Sequence, residues 1–203
     1  MEIGVYGGSF DPIHLGHINL ALAICEARKL DQICFCPAYV NPFKSGSDIP
    51  NLNHRLEMLK LALLDIPQCQ ILTAEIERQG ISYTVDTLRT LIHAEQGKPF
   101  PNRYSLILGA DAAAHFAKWK EPEEIARLVP IYVGTRSTNQ LLLENSLLPS
   151  IRTALSAGIT EVPLFDISST QIRSRIAAGL YCGHLVPSKV LSYIRDKHLY
   201  EAV

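Results

Sequence analysis

The chain has 203 residues, 47% apolar and 19% charged, which is enough to bury a core without disulfides or metal and excludes a wholly disordered protein. Its 20 acidic and 19 basic residues leave a formal charge of -1, so no global field favours nucleic acid or an anionic membrane. No apolar run approaches the ~20 residues of a membrane helix, and Met1-Glu2-Ile3-Gly4 lacks the basic-then-apolar start of a signal peptide.

Five cysteines without a C-x-x-C pair read as reduced thiols in a cytoplasmic protein. At ~150 residues per domain, one domain over residues 1–203 is expected. Short β-rich runs alternate with helical patterns, which predicts βαβ units around a parallel sheet.

Glu2 to Tyr6 reads as the first strand, ended by Gly7-Gly8. Leucine and alanine spacing from Ile18 to Leu30 predicts a helix, and Gln32 to Cys36 the next strand. Pro37 to Asn53 carries Pro37, Pro42, Pro50 and Gly46 and reads as a long functional loop. Arg55 to Leu64 predicts an amphipathic helix, Gln70 to Ala74 a strand, and Thr84 to Ala94 a helix capped by Thr84. Tyr104 to Leu108 reads as a buried strand closed by Gly109-Ala110-Asp111, and a helical stretch then runs to Leu128 with a break near Pro122. Ile131 to Val133 is a further strand, leading into Gly134-Thr135-Arg136.

Ser137 to Gly158 is weakly patterned, with Leu141 to Leu148 read as either helix or mobile segment. Glu161 to Phe165 reads as the last strand, Gln171 to Ala178 as a helix behind Ser168-Ser169-Thr170, and Pro187 to Lys197 as the final helix. The fold class is α/β: a Rossmann-like, doubly wound parallel sheet.

The segment Gly7-Gly8-Ser9-Phe10-Asp11-Pro12-Ile13-His14-Leu15-Gly16-His17 falls where such sheets bind ligands, at a strand's C-terminal end before a helix. Paired glycines let backbone N–H groups approach a ligand, and the helix start carries free donors that favour phosphate. His14 and His17, three apart, can face one side and donate to phosphate oxygens. A zinc pair is the alternative, but no third His, Cys or acid follows at ligand spacing.

Ser168-Ser169-Thr170 opens a helix with Arg173 one turn on, either an ordinary cap or the second half of a phosphate clamp. Arg136 lies just past a strand end, where it is either a further phosphate contact or solvated. Asp111 sits where a carboxylate can meet a ribose hydroxyl or cap a helix. Trp119 is the only tryptophan, and core packing is its ordinary role.

The Gly-Gly-Ser-Phe-Asp-Pro-Ile-His-Leu-Gly-His run resembles the signature of the HxGH nucleotidyltransferases. With Asn41-Pro42-Phe43-Lys44, Ser82-Tyr83-Thr84-Val85-Asp86-Thr87-Leu88, Gly109-Ala110-Asp111, Trp119, Ile167-Ser168-Ser169-Thr170-Gln171-Ile172-Arg173 and Leu199-Tyr200, the chain is similar throughout to bacterial nicotinate-nucleotide adenylyltransferases. The resemblance implies adenylyl transfer from ATP to nicotinate mononucleotide, giving nicotinic acid adenine dinucleotide and pyrophosphate. It implies His14, His17 and Arg173 as catalytic groups, and Gly8, Ser9, Phe10, Lys44, Asp111, Arg136, Ser168, Ser169 and Arg173 around ATP. Thr84 and Trp119 would then hold the mononucleotide, Trp119 by stacking on its pyridine ring.

In this reading His14, His17, Arg173, Lys44 and two helix N-termini supply positive potential. Mg²⁺ bridges the ATP phosphates, held mostly by ATP and water, with no protein metal cage. ATP and nicotinate mononucleotide are the partners; nucleic acid and membrane are not expected, and the oligomeric state is left open. Two positions depart from the family pattern: Phe43 where His is common, and Lys120 where Tyr is common. Lys44 then takes over the loop's charge, and Lys120 is expected to point into solvent. The alternatives are a nicotinamide-nucleotide or pantetheine-phosphate adenylyltransferase, a nucleotide-binding regulator without catalysis, or a fragment of an aminoacyl-tRNA synthetase.

Overall fold

Every strand of the sheet runs the same way. The computed structural model describes residues 1–43, 52–135, 147–163 and 165–202. Its strands are β1 (Glu2–Gly8), β2 (Gln32–Pro37), β3 (Cys69–Ile71), β4 (Arg103–Gly109), β5 (Ile131–Thr135) and β6 (Ile159–Glu161). They form one sheet in the order β3-β2-β1-β4-β5-β6, all pairs parallel. Val5 at the centre of β1 registers with Cys34 on one side and Leu106 on the other. Winding reverses between β1 and β4, which opens a crevice beyond their C-terminal ends.

The helices are α1 (Leu15–Arg28), α2 (Leu52–Leu63), α3 (Ala74–Arg78), α4 (Thr84–Glu95), α5 (Ala110–Ala114), α6 (Pro122–Leu128), α7 (Pro149–Ala157), α8 (Ser169–Ala177) and α9 (Ser188–Asp196). They cover both faces of the sheet, and the period of two along each strand feeds two cores. Tyr6, Ile33, Phe35 and Ile107 pack with Ile24 of α1, Met58 of α2 and Val190 of α9. Val5, Leu106, Leu108 and Val133 pack with Leu88 of α4, Ile125 of α6 and Leu155 of α7. Among the described residues no helix is long and apolar enough to cross a membrane.

Several boundaries differ from the sequence reading. Ala74, read as the end of a strand, opens α3, because β3 stops at Ile71. The last strand is Ile159–Glu161 and not Glu161 to Phe165: its final pair is Thr135 with Glu161, and Pro163 has no N–H to extend the ladder. The weakly patterned stretch contains α7, whose buried residues are only Ile151 and Leu155. The N-cap of α4 is Tyr83, and Thr84 is its first helical residue. The reading of Leu141 to Leu148 falls, as far as residue 146, outside the described residues.

Candidate active site

The β1–α1 turn is organised by two histidines that cap each other. His14 is the N-cap of α1, and its Nδ1 accepts the His17 backbone N–H at 3.3 Å. The Nδ1 of His17 in turn accepts the His14 backbone N–H at 3.3 Å. This is a capping box built from imidazoles. Because each Nδ1 acts as an acceptor, each neutral ring carries its proton on Nε2. The rings stack with centroids 3.6 Å apart and planes 23° from parallel. Gly16 makes room for this: a Cβ there would lie 3.1 Å from His14 Nδ1 and 3.2 Å from Cε1.

Burial pushes the His14 imidazole down to about 4, so it is uncharged at neutral pH. The expectation that His14 supplies positive charge is therefore corrected. It offers a neutral Nε2–H in a partly desolvated place, where a donor acts more strongly than in water.

Phe10 sits at φ +49°, a left-handed conformation sparsely populated by residues with a side chain. That reversal folds its ring under Gly8, where a Cβ would meet the ring at 2.9 Å. There it packs against Phe35 at 5.6 Å and edge-on against Tyr6 at 5.7 Å and His17 at 5.2 Å. Phe10 is fully inside the core and does not line the cleft described below; its ring supports the turn from beneath.

Side chains from distant elements hold the turn's carbonyls. Buried Arg55 of α2 donates to Ser9 O at 2.8 Å and Ala38 O at 2.8 Å, joining the loops after β1 and β2. Arg173 of α8 donates to Asp11 O at 2.7 Å, and Ser169 donates to Pro12 O at 3.0 Å. The Tyr200 hydroxyl donates to Asp11 Oδ1 at 2.7 Å. The sequence reading gave no role to Arg55, Asp11 or Tyr200. For Arg55 a signal existed: it lies on the same helical face as Leu59 and Ala62, where a charge needs a buried partner.

A cleft of about 1270 Å³ lies over these strand ends. That exceeds the ~300–1,000 Å³ of a typical single-ligand pocket and leaves room for two mononucleotides. Gly8, Ser9, His14 and His17 line it from the β1–α1 turn, and Ser168, Ser169 and Thr170 from the start of α8. Ser168 is the α8 N-cap and accepts the Gln171 N–H at 3.1 Å. Two helix N-termini thus open on one cleft, each favouring negative charge. Asp111 lines it within the first turn of α5, whose N-cap is Gly109.

Thr84 and Trp119 also line the cleft, from elements that pack in the core opposite that of α1 and α8. Trp119 is half-buried, follows the 3-10 turn Phe116–Lys118, and leans on Phe116 with ring centroids 5.3 Å apart. The core thus supports the ring while the residue borders the cleft.

Lys120, expected to point into solvent, is exposed but held by a partner. Its Nζ is 3.0 Å from Asp86 Oδ2 and 4.6 Å from the centroid of the Tyr83 ring, and it too lines the cleft. Phe43 also borders the cleft, with its N–H on Asn41 Oδ1 at 2.9 Å, and Asn41 donates to Ser9 Oγ at 3.0 Å.

Of the residues singled out from sequence, the fold brings Gly8, Ser9, His14, His17, Thr84, Asp111, Trp119, Ser168 and Ser169 around one cleft. Arg173 sits just behind it, donating to Thr170 Oγ1 at 3.3 Å as well as to the turn. Lys44 and Arg136 lie outside the described residues. Asn41, quoted in the resemblance but given no role, also borders the cleft, as do His115 and Asp166, which carried no sequence signal.

Residues 5–175 match the family model described as Cytidylyltransferase-like. The chain is 33% identical over 202 residues to the nicotinate-nucleotide adenylyltransferase of Bacillus subtilis, covering 99% of both chains. It is 39% identical over 204 residues to the Dictyoglomus turgidum protein named a probable nicotinate-nucleotide adenylyltransferase, covering 98% of this chain and 96% of that one. In fold it resembles the Plasmodium falciparum nicotinic acid mononucleotide adenylyltransferase complexed with NaAD, with a TM-score of 0.76 and 19% identity over 98% of this chain and 97% of that one. A parallel sheet with its cleft at the switch point, matched end to end at this identity, leaves one assignment: the chain belongs to the nicotinate-nucleotide adenylyltransferases of the cytidylyltransferase-like family.

Proposed function

We propose that this chain transfers the adenylyl group of ATP to nicotinate mononucleotide. An oxygen of the mononucleotide phosphate attacks the α-phosphorus of ATP and forms the new P–O bond. The bond from that phosphorus to the bridging oxygen breaks, and pyrophosphate leaves with the electron pair. The products are nicotinic acid adenine dinucleotide and pyrophosphate.

The second pKa of a phosphate monoester is ~6, so the nucleophile is mostly a dianion at neutral pH and needs no general base. Two polyanions must be held together, and the rate then rests on positioning and on donors aimed at the developing charge. His14 and His17 would donate through Nε2–H to the phosphates in the β1–α1 turn. The start of α8, with Ser168, Ser169 and Arg173, would hold the outer phosphates, and Gly8 and Ser9 would offer backbone contacts to ATP. Phe10 acts in this reading by supporting the turn, and Lys44 and Arg136 remain as further cations. Asp111 would meet the ribose, while Thr84 and Trp119 would take the nicotinate ring. The cytoplasm, where ATP is at hand, is the compartment this reading implies, in line with five free thiols.

The donor set near the phosphates is imidazole, hydroxyl, guanidinium and N–H, and no group of three His, Cys, Asp or Glu gathers as a metal cage among the described residues. Such donors fit Mg²⁺ carried by the nucleotide and water, with the protein holding the phosphates. When bound, the ion neutralises phosphate charge.

The observation that carries the reading is the shared cleft: it is lined by two helix N-termini and two fixed imidazoles from elements packed on one face of the sheet, and by Thr84 and Trp119 from elements packed on the other. Pyrophosphate release, measured with ATP and a panel of acceptor phosphates, tests it. Release is expected with nicotinate mononucleotide, lost in EDTA and restored by Mg²⁺. In His17→Ala, kcat should fall by roughly 10² or more without loss of fold. Release only with phosphopantetheine, or none with any acceptor, refutes the proposal.

A further inference from the structure

Arg173, assigned above to the triphosphate, is also part of a buried polar group that the reaction itself does not call for. Its Nη1 donates to Asp11 O at 2.7 Å and lies 3.7 Å from Asp11 Oδ2. The other carboxylate oxygen, Oδ1, is taken by the Tyr200 hydroxyl at 2.7 Å. Asp11 is buried in the phosphate turn, and Tyr200 follows α9, 189 residues away in sequence.

The distances differ in a way that matters. A free carboxylate beside a guanidinium closes to ~2.7–2.9 Å and often engages it through both oxygens. Here one oxygen is held elsewhere and the other stays 3.7 Å away. Arg173 is thus restrained by the turn's carbonyl and not captured by the carboxylate. Its Nη2 is left toward Thr170 Oγ1, a residue that borders the cleft.

We infer that Tyr200 is a positioning residue for ATP binding: by holding Asp11 Oδ1 it keeps the carboxylate from drawing Arg173 away from the triphosphate. The inference rests on the reading of Arg173 as a triphosphate contact. Asp11 is the intermediary, and neither Asp11 nor Tyr200 needs to touch substrate. Without the hydroxyl, both carboxylate oxygens are free to turn to Arg173, and ATP must compete with a direct ion pair.

Tyr200→Phe keeps the ring and removes only the donor, so it is the variant to measure. Titration calorimetry with MgATP reads affinity even where turnover is lost, and steady-state kinetics reads the KM for nicotinate mononucleotide. Tyr200→Phe is expected to weaken MgATP about five- to tenfold, with the acceptor KM and Tm nearly unchanged. Asp11→Asn added to Tyr200→Phe should recover most of that affinity, because a neutral amide competes weakly for a guanidinium. In an Arg173→Ala background, Tyr200→Phe should have no further effect.

If Tyr200→Phe weakens both substrates equally, or adds in full to Arg173→Ala, the hydroxyl has only a structural role and the inference is wrong. If Tyr200→Phe binds MgATP as wild type does, it is wrong as well. If Arg173→Ala itself binds MgATP normally, the assignment of Arg173 to the triphosphate fails, and the role of Tyr200 fails with it. Adenylyl transfer would still stand in that case if pyrophosphate release with nicotinate mononucleotide persists.

Discussion

His14 and His17 each use Nδ1 to cap the other's backbone N–H, at 3.3 Å in both directions, with their rings stacked 3.6 Å apart. A helix start ordinarily leaves its first N–H groups to a Ser, Thr, Asp or Asn cap. Using imidazoles satisfies two of those groups and also sets the tautomer of each ring, with the proton on Nε2. The local structure thus fixes the orientation and tautomer of both rings without a ligand, and under the proposed function that leaves little reorganisation for the reaction.

Gly16 tests this directly. Ala there brings a Cβ to 3.1 Å from His14 Nδ1, so the ring must shift and the cap must lengthen. A helical Gly→Ala change gains ~0.5–1 kcal/mol, which offsets a weakened cap of ~1 kcal/mol. Gly16→Ala should therefore keep its Tm within a few degrees while kcat falls about tenfold or more. Thermal melts and steady-state turnover check it; a fully active variant would show that the ring's position does not matter.

Burial of His14 makes the folding stability depend on pH. The folded ring titrates at about 4, while an unfolded His titrates near 6.5. Between those values the unfolded chain binds more protons, so folding stability is complete above ~6.5 and falls as pH drops through about 4. A shift of that size corresponds to at most ~3 kcal/mol. His14→Asn keeps an N-cap acceptor and removes the titrating ring. Its denaturant midpoint should match wild type near pH 7.5 and exceed it near pH 4.5; parallel curves across that range would contradict the burial of His14 as the cause.

Lys120 links the two segments proposed to hold the acceptor, around Thr84 and Trp119. It follows Trp119 directly and pairs with Asp86, two residues past Thr84, over the Tyr83 ring. The pair is two-fifths exposed on the lysine side, so it contributes no more than ~1 kcal/mol to stability. Spent on geometry, that amount corresponds to about a fivefold effect at most. Lys120→Ala should raise the KM for nicotinate mononucleotide a few-fold, leave the ATP KM alone and barely move Tm. Trp119→Ala should act on the same parameter more strongly, since stacking on a base is worth ~1–3 kcal/mol. Equal effects on both substrates in either variant would remove these residues from the acceptor side.

What the sequence made legible was local chemistry. The glycine pair, His14 and His17 sit within eleven residues, and alternating strand and helix patterns led to the parallel sheet that forms. Short elements were missed because they carry too few periodic positions: α3 has five residues, and α7 buries only two. The apolar run from Glu161 to Phe165 looked like a strand, but pairing is decided by backbone donors, and Pro163 has none. The partners of Arg55, Asp11 and Tyr200 were illegible for another reason. Their bonds span 46 and 189 residues, and no local pattern reports a partner that far away. The same holds for Lys120, read as solvated because Asp86 lies 34 residues earlier.

Substrate choice is where the acid and its amide part. A carboxylate has only acceptors, while an amide brings an NH₂ that needs one. Thr84 lies at the start of α4, where a helix end favours negative charge, and Lys120 adds a cation on that wall. Each mispaired buried polar group costs ~1–3 kcal/mol, so two such contacts give at least a tenfold preference. The ratio of kcat/KM for nicotinate mononucleotide to that for nicotinamide mononucleotide, measured at saturating MgATP, is therefore the most direct measurement. A ratio of about ten to a thousand in favour of the acid is expected; a ratio near one, or a preference for the amide, would contradict it.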